Sequence, residues 1–140
     1  IGKGDTQMLI YMLTMWLWVS VNVTRADTGV PLLAWDSQLS EVASARADES
    51  LTVGRLTHYR GNDLALAHEM ADRRIGFRSA GENLGRNNWP AATTVPKVME
   101  GMMASSTHRT NVLDAGFRWI GIATRLSAGG MYWFALVFKG

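Results

Sequence analysis

Three side chains that can bind a metal or move a proton lie in separate segments of this 140-residue chain. His58 follows Thr57, Glu82 stands between two small or polar neighbours in Gly81–Asn83, and His108 belongs to the segment Ser105–Asn111. Two imidazoles and one carboxylate can hold a divalent cation such as Zn²⁺, or can serve in acid–base chemistry. We therefore predict that these three groups converge on one cleft.

Two chemistries are open for such a group. Three protein ligands and a water give the open geometry of a catalytic zinc, and a metal-dependent hydrolase would then use Glu82 as its general base. Alternatively, His58, Glu82 and His108 form a buried hydrogen-bonded cluster that stiffens the fold. The apolar first helix described below needs a partner to cover it, which favours a binding or structural module over an enzyme. No serine nucleophile is indicated either, because Ser105 and Ser106 also fit the end of a helix.

The polar residues next to these groups are predicted to line the same ligand cleft. Asn83 follows Glu82 directly, and Ser105 and Asn111 lie on either side of His108. Hydroxyl and amide groups can hydrogen-bond a ligand or hold a ring in place. We predict that Ser105, Asn83 and Asn111 contribute to the cleft.

Hydrophobic periodicity and turn residues predict the elements that must position the site. Four helices are indicated: from about Thr6 to Asp27, from Ser37 to Val53, from a cap at Asn62 or Asp63 to about Ile75, and from a cap at Thr93 or Thr94 to about Ser105. Thr57–Gly61 is a predicted loop, and Phe77–Gly85 is predicted to be extended or looped. Alternating apolar residues over Phe117–Ala123 and Met131–Phe138 predict an antiparallel C-terminal hairpin.

Length and composition limit the class of protein. A chain of 140 residues with 47% hydrophobic and 19% charged residues is typical of one soluble α+β domain with a real core. It contains no cysteine, which excludes disulfides and a thiolate metal site but not secretion. The net charge of +2 is small and scattered, so nucleic acid is not an expected partner.

The first helix is unusually apolar. Thr14 is the one polar residue between Met8 and Val19, so an apolar surface should remain on the side that faces away from the domain. We predict that Met12, Met15, Trp16 and Trp18 take part in a partner interface, within a homo-oligomer or a larger surface assembly. A fully buried helix and a membrane surface or anchor are the alternatives.

Five segments in order resemble the CAP superfamily (cysteine-rich secretory proteins, antigen 5 and pathogenesis-related 1) in its small bacterial SCP-like form. Its opening segment is matched by Asn22, Arg25, Gly29, Leu33, Trp35, Asp36, Leu39 and Ala43. Its three short site motifs are matched by Thr57-His58, Gly81-Glu82-Asn83 and Ser105–Leu113, and its last two strands by Gly116–Ala123 and Tyr132–Phe138.

The resemblance implies an α-β-α sandwich with a small antiparallel sheet, one such domain over residues 1–140, and a secreted or cell-surface location. It also implies a cleft with two histidines and, in many members, two glutamates. His58, Glu82 and His108 match three of these positions, while Ser105 stands where eukaryotic members have the second glutamate. Some members of the family bind sterols or other lipids, so the resemblance makes these a possible class of ligand.

Overall fold

The computed structural model describes residues 2–140 and contains five helices and six strands. The helices are α1 Lys3–Thr28, α2 Ser37–Val53, α3 Ala65–Asp72, α4 Ala91–Ala104 and α5 Ser106–Leu113. The strands are β1 Ala34–Trp35, β2 Tyr59–Arg60, β3 Asp63–Leu64, β4 Ala80–Asn87, β5 Trp119–Leu126 and β6 Tyr132–Lys139.

The main sheet has four strands in the order β1-β5-β6-β4. β6 pairs antiparallel with both β4 and β5, so the predicted C-terminal hairpin forms the centre of the sheet. β1 adds to the outer side of β5 in the parallel direction, which makes the sheet mixed rather than purely antiparallel. β2 and β3 form a separate two-stranded hairpin just before α3, where the sequence predicted a loop.

The two faces of the sheet carry different cores, which gives the predicted α-β-α sandwich. Alternate residues of β6 point to opposite faces because a strand has a side-chain period of two. Tyr132, Phe134, Leu136 and Phe138 pack with residues of α1, α4 and α5, whereas Ala135 and Val137 pack with residues of α2 and α3.

A buried arginine fixes α1 to the rest of the domain. Leu13, Leu17 and Val21 of this helix are buried, and Arg25 is the next residue on the same face. The fully buried Arg25 guanidinium donates hydrogen bonds to four backbone carbonyls, those of Pro31, Val112, Asp114 and Phe117. Burial lowers the pKa of Arg25 from its usual value, and the nearby Asp114 charge opposes that change.

The third and fourth helices differ from their predicted bounds, and a fifth helix, α5, was missed. The third helix begins at Ala65 and ends at Asp72, because residues 59–64 form the β2–β3 hairpin instead of a cap. The fourth helix begins at Ala91, so Pro96 lies inside it and removes one internal hydrogen bond. The Thr94 hydroxyl does not cap the helix but donates to Asn87 at 2.6 Å.

β4 differs most from the sequence-based expectation. Residues Phe77–Gly85 were predicted to be extended or looped, yet Ala80–Asn87 forms a full edge strand along β6. Its glycines lowered the strand signal. Gly81 and Gly85 both lie where a helix packs close: an added Cβ would lie 2.9 Å from Asn111 Oδ1 at Gly81 and 2.8 Å from Val98 Cγ2 at Gly85.

We predict that Gly121→Ala in β5 strongly destabilises the domain. A Cβ there would lie 2.2 Å from the backbone carbon of Leu39 and 2.2 Å from the backbone nitrogen of Ser40, so α2 would have to move away from the sheet. Overpacking against backbone should lower the free energy of unfolding by about 3 kcal/mol, as measured by urea denaturation.

Gly101→Ala is the matched control for this substitution. Gly101 lies inside α4 with nothing within 4 Å of its added Cβ, so the change should stabilise the helix by about 0.5–1 kcal/mol. Equal effects of Gly121→Ala and Gly101→Ala would contradict the close contact between α2 and β5.

Candidate functional site

Glu82 is held in the sheet by a buried ion pair with Arg46 of α2. Arg46 Nε donates to Glu82 Oε2 at 2.7 Å, and its terminal nitrogen donates to Oε1 at 3.2 Å. The Arg46 and Glu82 side chains are only 1% and 3% exposed. Burial alone would lower the pKa of Arg46, but the hydrogen bonds and charges of Glu82 and Glu49 outweigh it and raise that pKa.

The same arginine links the site to the surface through further ion pairs. Arg46 also donates to Glu49 at 2.6 Å and to the Thr57 carbonyl at 2.5 Å. Glu49 accepts hydrogen bonds from Arg60 of β2, and Arg60 in turn donates to Glu69 of α3. Arg46 therefore fixes the segment that carries His58 as well as the carboxylate.

His58 lies directly against Glu82, as the sequence predicted. Its Nδ1 is 2.8 Å from Glu82 Oε1. An ionised carboxylate only accepts hydrogen bonds, so Nδ1 carries the proton. In the neutral ring the lone pair is then on Nε2, and the His58 side chain as a whole is 45% exposed.

His108 approaches the same cleft from α5 and is held by the predicted cleft residues. Its Nδ1 lies 2.8 Å from Ser105 Oγ, and its carbonyl accepts a hydrogen bond from Asn83 Nδ2 at 3.0 Å. Asn111 Nδ2 donates to Asn83 Oδ1 at 2.9 Å and to the Glu82 carbonyl at 3.3 Å. Burial, and secondarily the positive charge of His58, lower the pKa of His108, so its neutral form is favoured.

A cleft of about 530 Å³ opens beside His108 between β4 and α4. Its wall includes apolar side chains from both elements and from the segment before β2. The apolar lining includes Leu56, Leu84, Trp89, Val98 and Met102, and the polar lining includes Ser105 and His108. This volume is within the range of small-molecule sites.

Within residues 2–140, no three side chains of the metal-ligating types form a cluster close enough to hold one ion. His58 contacts Glu82, and His108 lies near enough to His58 for the two rings to interact electrostatically. Both carboxylate oxygens of Glu82 already accept hydrogen bonds from Arg46 or His58. The two imidazoles are thus the available ligands. His68 lies elsewhere, paired with Asp63 on the exposed side of α3.

The four predicted interface residues do not share one environment. Met12 is 60% and Trp16 is 39% exposed, and Met15 is half-buried. Trp18 turns toward the domain, where its ring packs on Trp35 at 5.5 Å and its Nε1 donates to the Leu33 carbonyl at 3.0 Å.

Sequence reasoning missed Arg46, the residue on which the site depends. A signal was present: Val42, Ala43, Arg46 and Ala47 follow helical spacing, which places an arginine on the apolar stripe of α2. A charged side chain on a buried stripe needs a buried partner of opposite charge. Its partner on β4 could not be identified, because that strand was not predicted.

Comparison with known sequences identifies one family over most of the chain. Residues 20–138 match the family CAP, the Cysteine-rich secretory protein family. The chain is 26% identical over 101 residues to the uncharacterized membrane protein YlbC of Bacillus subtilis, a match that covers 72% of this chain and 28% of that protein.

Solved structures share the fold at low sequence identity. An extracellular protein containing an SCP domain from Bacillus anthracis superposes with a TM-score of 0.83 at 20% identity, covering 99% of this chain and 44% of that one. NaASP2, crystallised with Zn²⁺, superposes with a TM-score of 0.55 at 13% identity, covering 99% of this chain and 80% of that one. The chain thus spans less than half the length of the two Bacillus proteins.

We predict that Arg46→Met lowers the free energy of unfolding by about 3–5 kcal/mol, because it leaves the Glu82 carboxylate buried without its cation. Adding Glu82→Gln should restore part of that loss, since no buried charge remains. Urea denaturation of the two single variants and the double variant measures the coupling. Additive losses would contradict a buried pair.

Acidification should destabilise the domain through His108. The pKa of this ring is lowered on folding, so below the usual value of 6.5 the unfolded chain binds a proton that the folded chain does not. Stability should therefore fall as the pH drops through 6.5, and the fall should end below the folded pKa.

The urea midpoint of the wild type and of His108→Gln, compared at pH 7.5 and pH 5.5, measures this contribution. The midpoint of the wild type should fall more over this interval than that of the variant. An equal fall in both proteins would assign the pH dependence to other groups.

Proposed function

The chain belongs to the Cysteine-rich secretory protein family, CAP, and from that premise we propose that it is a secreted, non-catalytic binding domain whose cleft holds a divalent cation between His58 and His108. The observation that carries the proposal is the pinning of both rings through Nδ1: His58 by Glu82 and His108 by Ser105. Each ring can then offer Nε2 as a ligand.

The hydrogen bonds at Nδ1 of the two histidines fit the binding of a cation such as Zn²⁺. The second ring N–H of a ligating histidine usually donates a hydrogen bond to a carboxylate, which fixes the tautomer and raises the basicity of the ligand. Glu82 stands in that relation to His58 at 2.8 Å. The Ser105 hydroxyl can accept as well as donate, so neutral His108 can present the same tautomer. NaASP2, a protein of the same fold, was crystallised with Zn²⁺, which also supports the choice of ion.

Glu82 serves in this proposal as a positioning residue, not as a ligand or a base. Both of its oxygens accept hydrogen bonds, Oε2 from Arg46 and Oε1 from Arg46 and His58. A general base must reach the water that it deprotonates, and a carboxylate that is 3% exposed inside the sheet is poorly placed for that. The metal-dependent hydrolase remains the alternative function, and the ion pair argues against it. A bound cation would supply Lewis acidity and open coordination positions for a ligand.

The wall of the cleft favours a ligand with an apolar body and a polar head. Leu56, Leu84, Val98 and Met102 supply the apolar part of the lining. Its polar part includes His108, Ser105 and the charged Arg86, Lys97 and Glu100. A small lipid or sterol-like molecule would place its head near the imidazoles and its body along the apolar wall. This supports the class of ligand that the family resemblance implies.

Secretion or display at the cell surface is part of the proposal. It is supported by the family, by the extracellular SCP-domain protein of the same fold and by the membrane protein YlbC. α1 also has the length and composition of a membrane-spanning helix, although core helices and signal sequences share that property.

Calorimetric titration with Zn²⁺ at pH 7.5 tests the cation site. We expect one ion per chain, and we expect His58→Ala and His108→Ala each to weaken binding by at least tenfold. His68→Ala is the matched control, because the third histidine lies on the exposed side of α3 and should bind as the wild type does. Equal heats of binding in all four proteins would contradict a cation site formed by His58 and His108.

A further inference from the structure

α1 carries an exposed apolar stripe on the side opposite its buried face. The stripe consists of Met8, Tyr11, Met12, Trp16, Val19 and Val23, and we call it the outer stripe of α1. Trp16 is 39% exposed, and each of the other five is more than half exposed. Between Asp5 and Arg25 the helix has no charged residue on any side.

The apolar area of the outer stripe reaches the upper end of what a monomer ordinarily exposes to water. At roughly 100 Å² for each exposed side chain, its six residues present on the order of 600 Å² of apolar area, the upper limit for the largest patch on a typical monomer. The hollows on its two sides add the exposed Leu32 and Pro96 to this surface. The total approaches the ~800 Å² that one partner buries in a standard interface.

The shape of this surface also matters. Val19 and Val23 form a ridge between two hollows of about 310 Å³ and 360 Å³. Trp18 and Leu32 line one hollow, and Pro96 and Met99 of α4 line the other. A ridge flanked by grooves is the surface that helix-on-helix packing requires.

We propose that the outer stripe of α1 binds the outer stripe of a second copy of this chain, with the two helices antiparallel about a two-fold axis. A two-fold contact is self-complementary, so each surface must supply both ridge and groove, as this one does. The absence of charge on α1 between Asp5 and Arg25 means that no like charges oppose each other in a self-contact.

The dipole of α1 favours the antiparallel arrangement. It places the partly positive N-terminus of each helix beside the partly negative C-terminus of its partner. The stripe is about 22 Å long from Met8 to Val23. Centring the contact on it sets Met8 opposite Val23, and Met12 opposite Val19. This assembly is independent of the cation site, because α1 contributes no residue to the cleft.

Sedimentation equilibrium of the wild type, Val19→Lys and Val53→Lys tests the contact. Val19 is 55% and Val53 is 50% exposed, and both are valines on helices, but Val53 lies at the end of α2, away from the outer stripe. The wild type and Val53→Lys should have twice the 15.4 kDa chain mass at micromolar concentration. Val19→Lys should have the mass of one chain, with an unchanged circular dichroism spectrum. A wild type that stays monomeric, or two lysine variants that behave alike, would overturn the proposal.

Disulfide cross-linking tests the orientation of the two helices. Because the chain contains no cysteine, no native thiol competes with the introduced ones. A mixture of Met12→Cys and Val19→Cys should form a mixed disulfide on oxidation far faster than Met12→Cys forms one with itself. Faster self-cross-linking of Met12→Cys would overturn the antiparallel arrangement.

Vesicles of phosphatidylcholine and phosphatidylglycerol separate this contact from a lipid surface. The dimer predicts that the wild type stays in the supernatant at concentrations where it has twice the chain mass. A chain that is monomeric in solution and sediments with vesicles, and that loses this on Val19→Lys, would show that lipid rather than a second copy covers the stripe.

Discussion

The ion pair between Arg46 and Glu82 is the contact on which the cleft depends. It joins α2 to the edge strand β4, and the carboxylate it holds is the group that orients His58. The guanidinium also donates to the Thr57 carbonyl, so the segment before His58 is fixed by the same side chain. A charge at 1% exposure is unfavourable unless each of its hydrogen bonds is made, and here Glu82, Glu49 and a carbonyl accept them. Arg46 therefore imposes a single arrangement on three segments.

A second buried arginine, Arg25, connects separate segments on the other face of the sheet, but its hydrogen-bond partners are of a different kind. Arg25 donates to four carbonyls and to no carboxylate, so backbone dipoles are its hydrogen-bonding partners, and the Asp114 charge acts on it without a direct side-chain contact. The consequence is visible in the two pKa directions: burial prevails at Arg25 and lowers its pKa, whereas Glu82 and Glu49 prevail at Arg46 and raise it. One face of the sandwich is thus held by an ion pair and the other by a network of carbonyls.

The parts of the fold that are regular in sequence could be predicted, and the irregular parts could not. α1, α2 and the β5–β6 hairpin follow from periodicity because each buries one face or both. β4 carries glycines and polar residues because helices pack closely upon it and the site is built on it, so its pattern resembles a loop. Among the site residues, the two histidines and Glu82 were found as polar residues in short motifs. Arg46 was missed because its partner lies 36 residues away on the strand that was not predicted.

The order of elements along the chain has a consequence for biosynthesis. α1 is synthesised before α4, α5 and β5, yet the carbonyls that bind Arg25 and the residues that cover Leu13, Leu17 and Val21 come mainly from these later elements and the segment between α5 and β5. Those segments leave the ribosome about 90 residues later, which at 5–20 residues per second is a delay of about 5–20 s. During that interval the apolar side chains of α1 lack the partners that later cover them. The first core of the sandwich can therefore be completed only when nearly the whole domain has been synthesised.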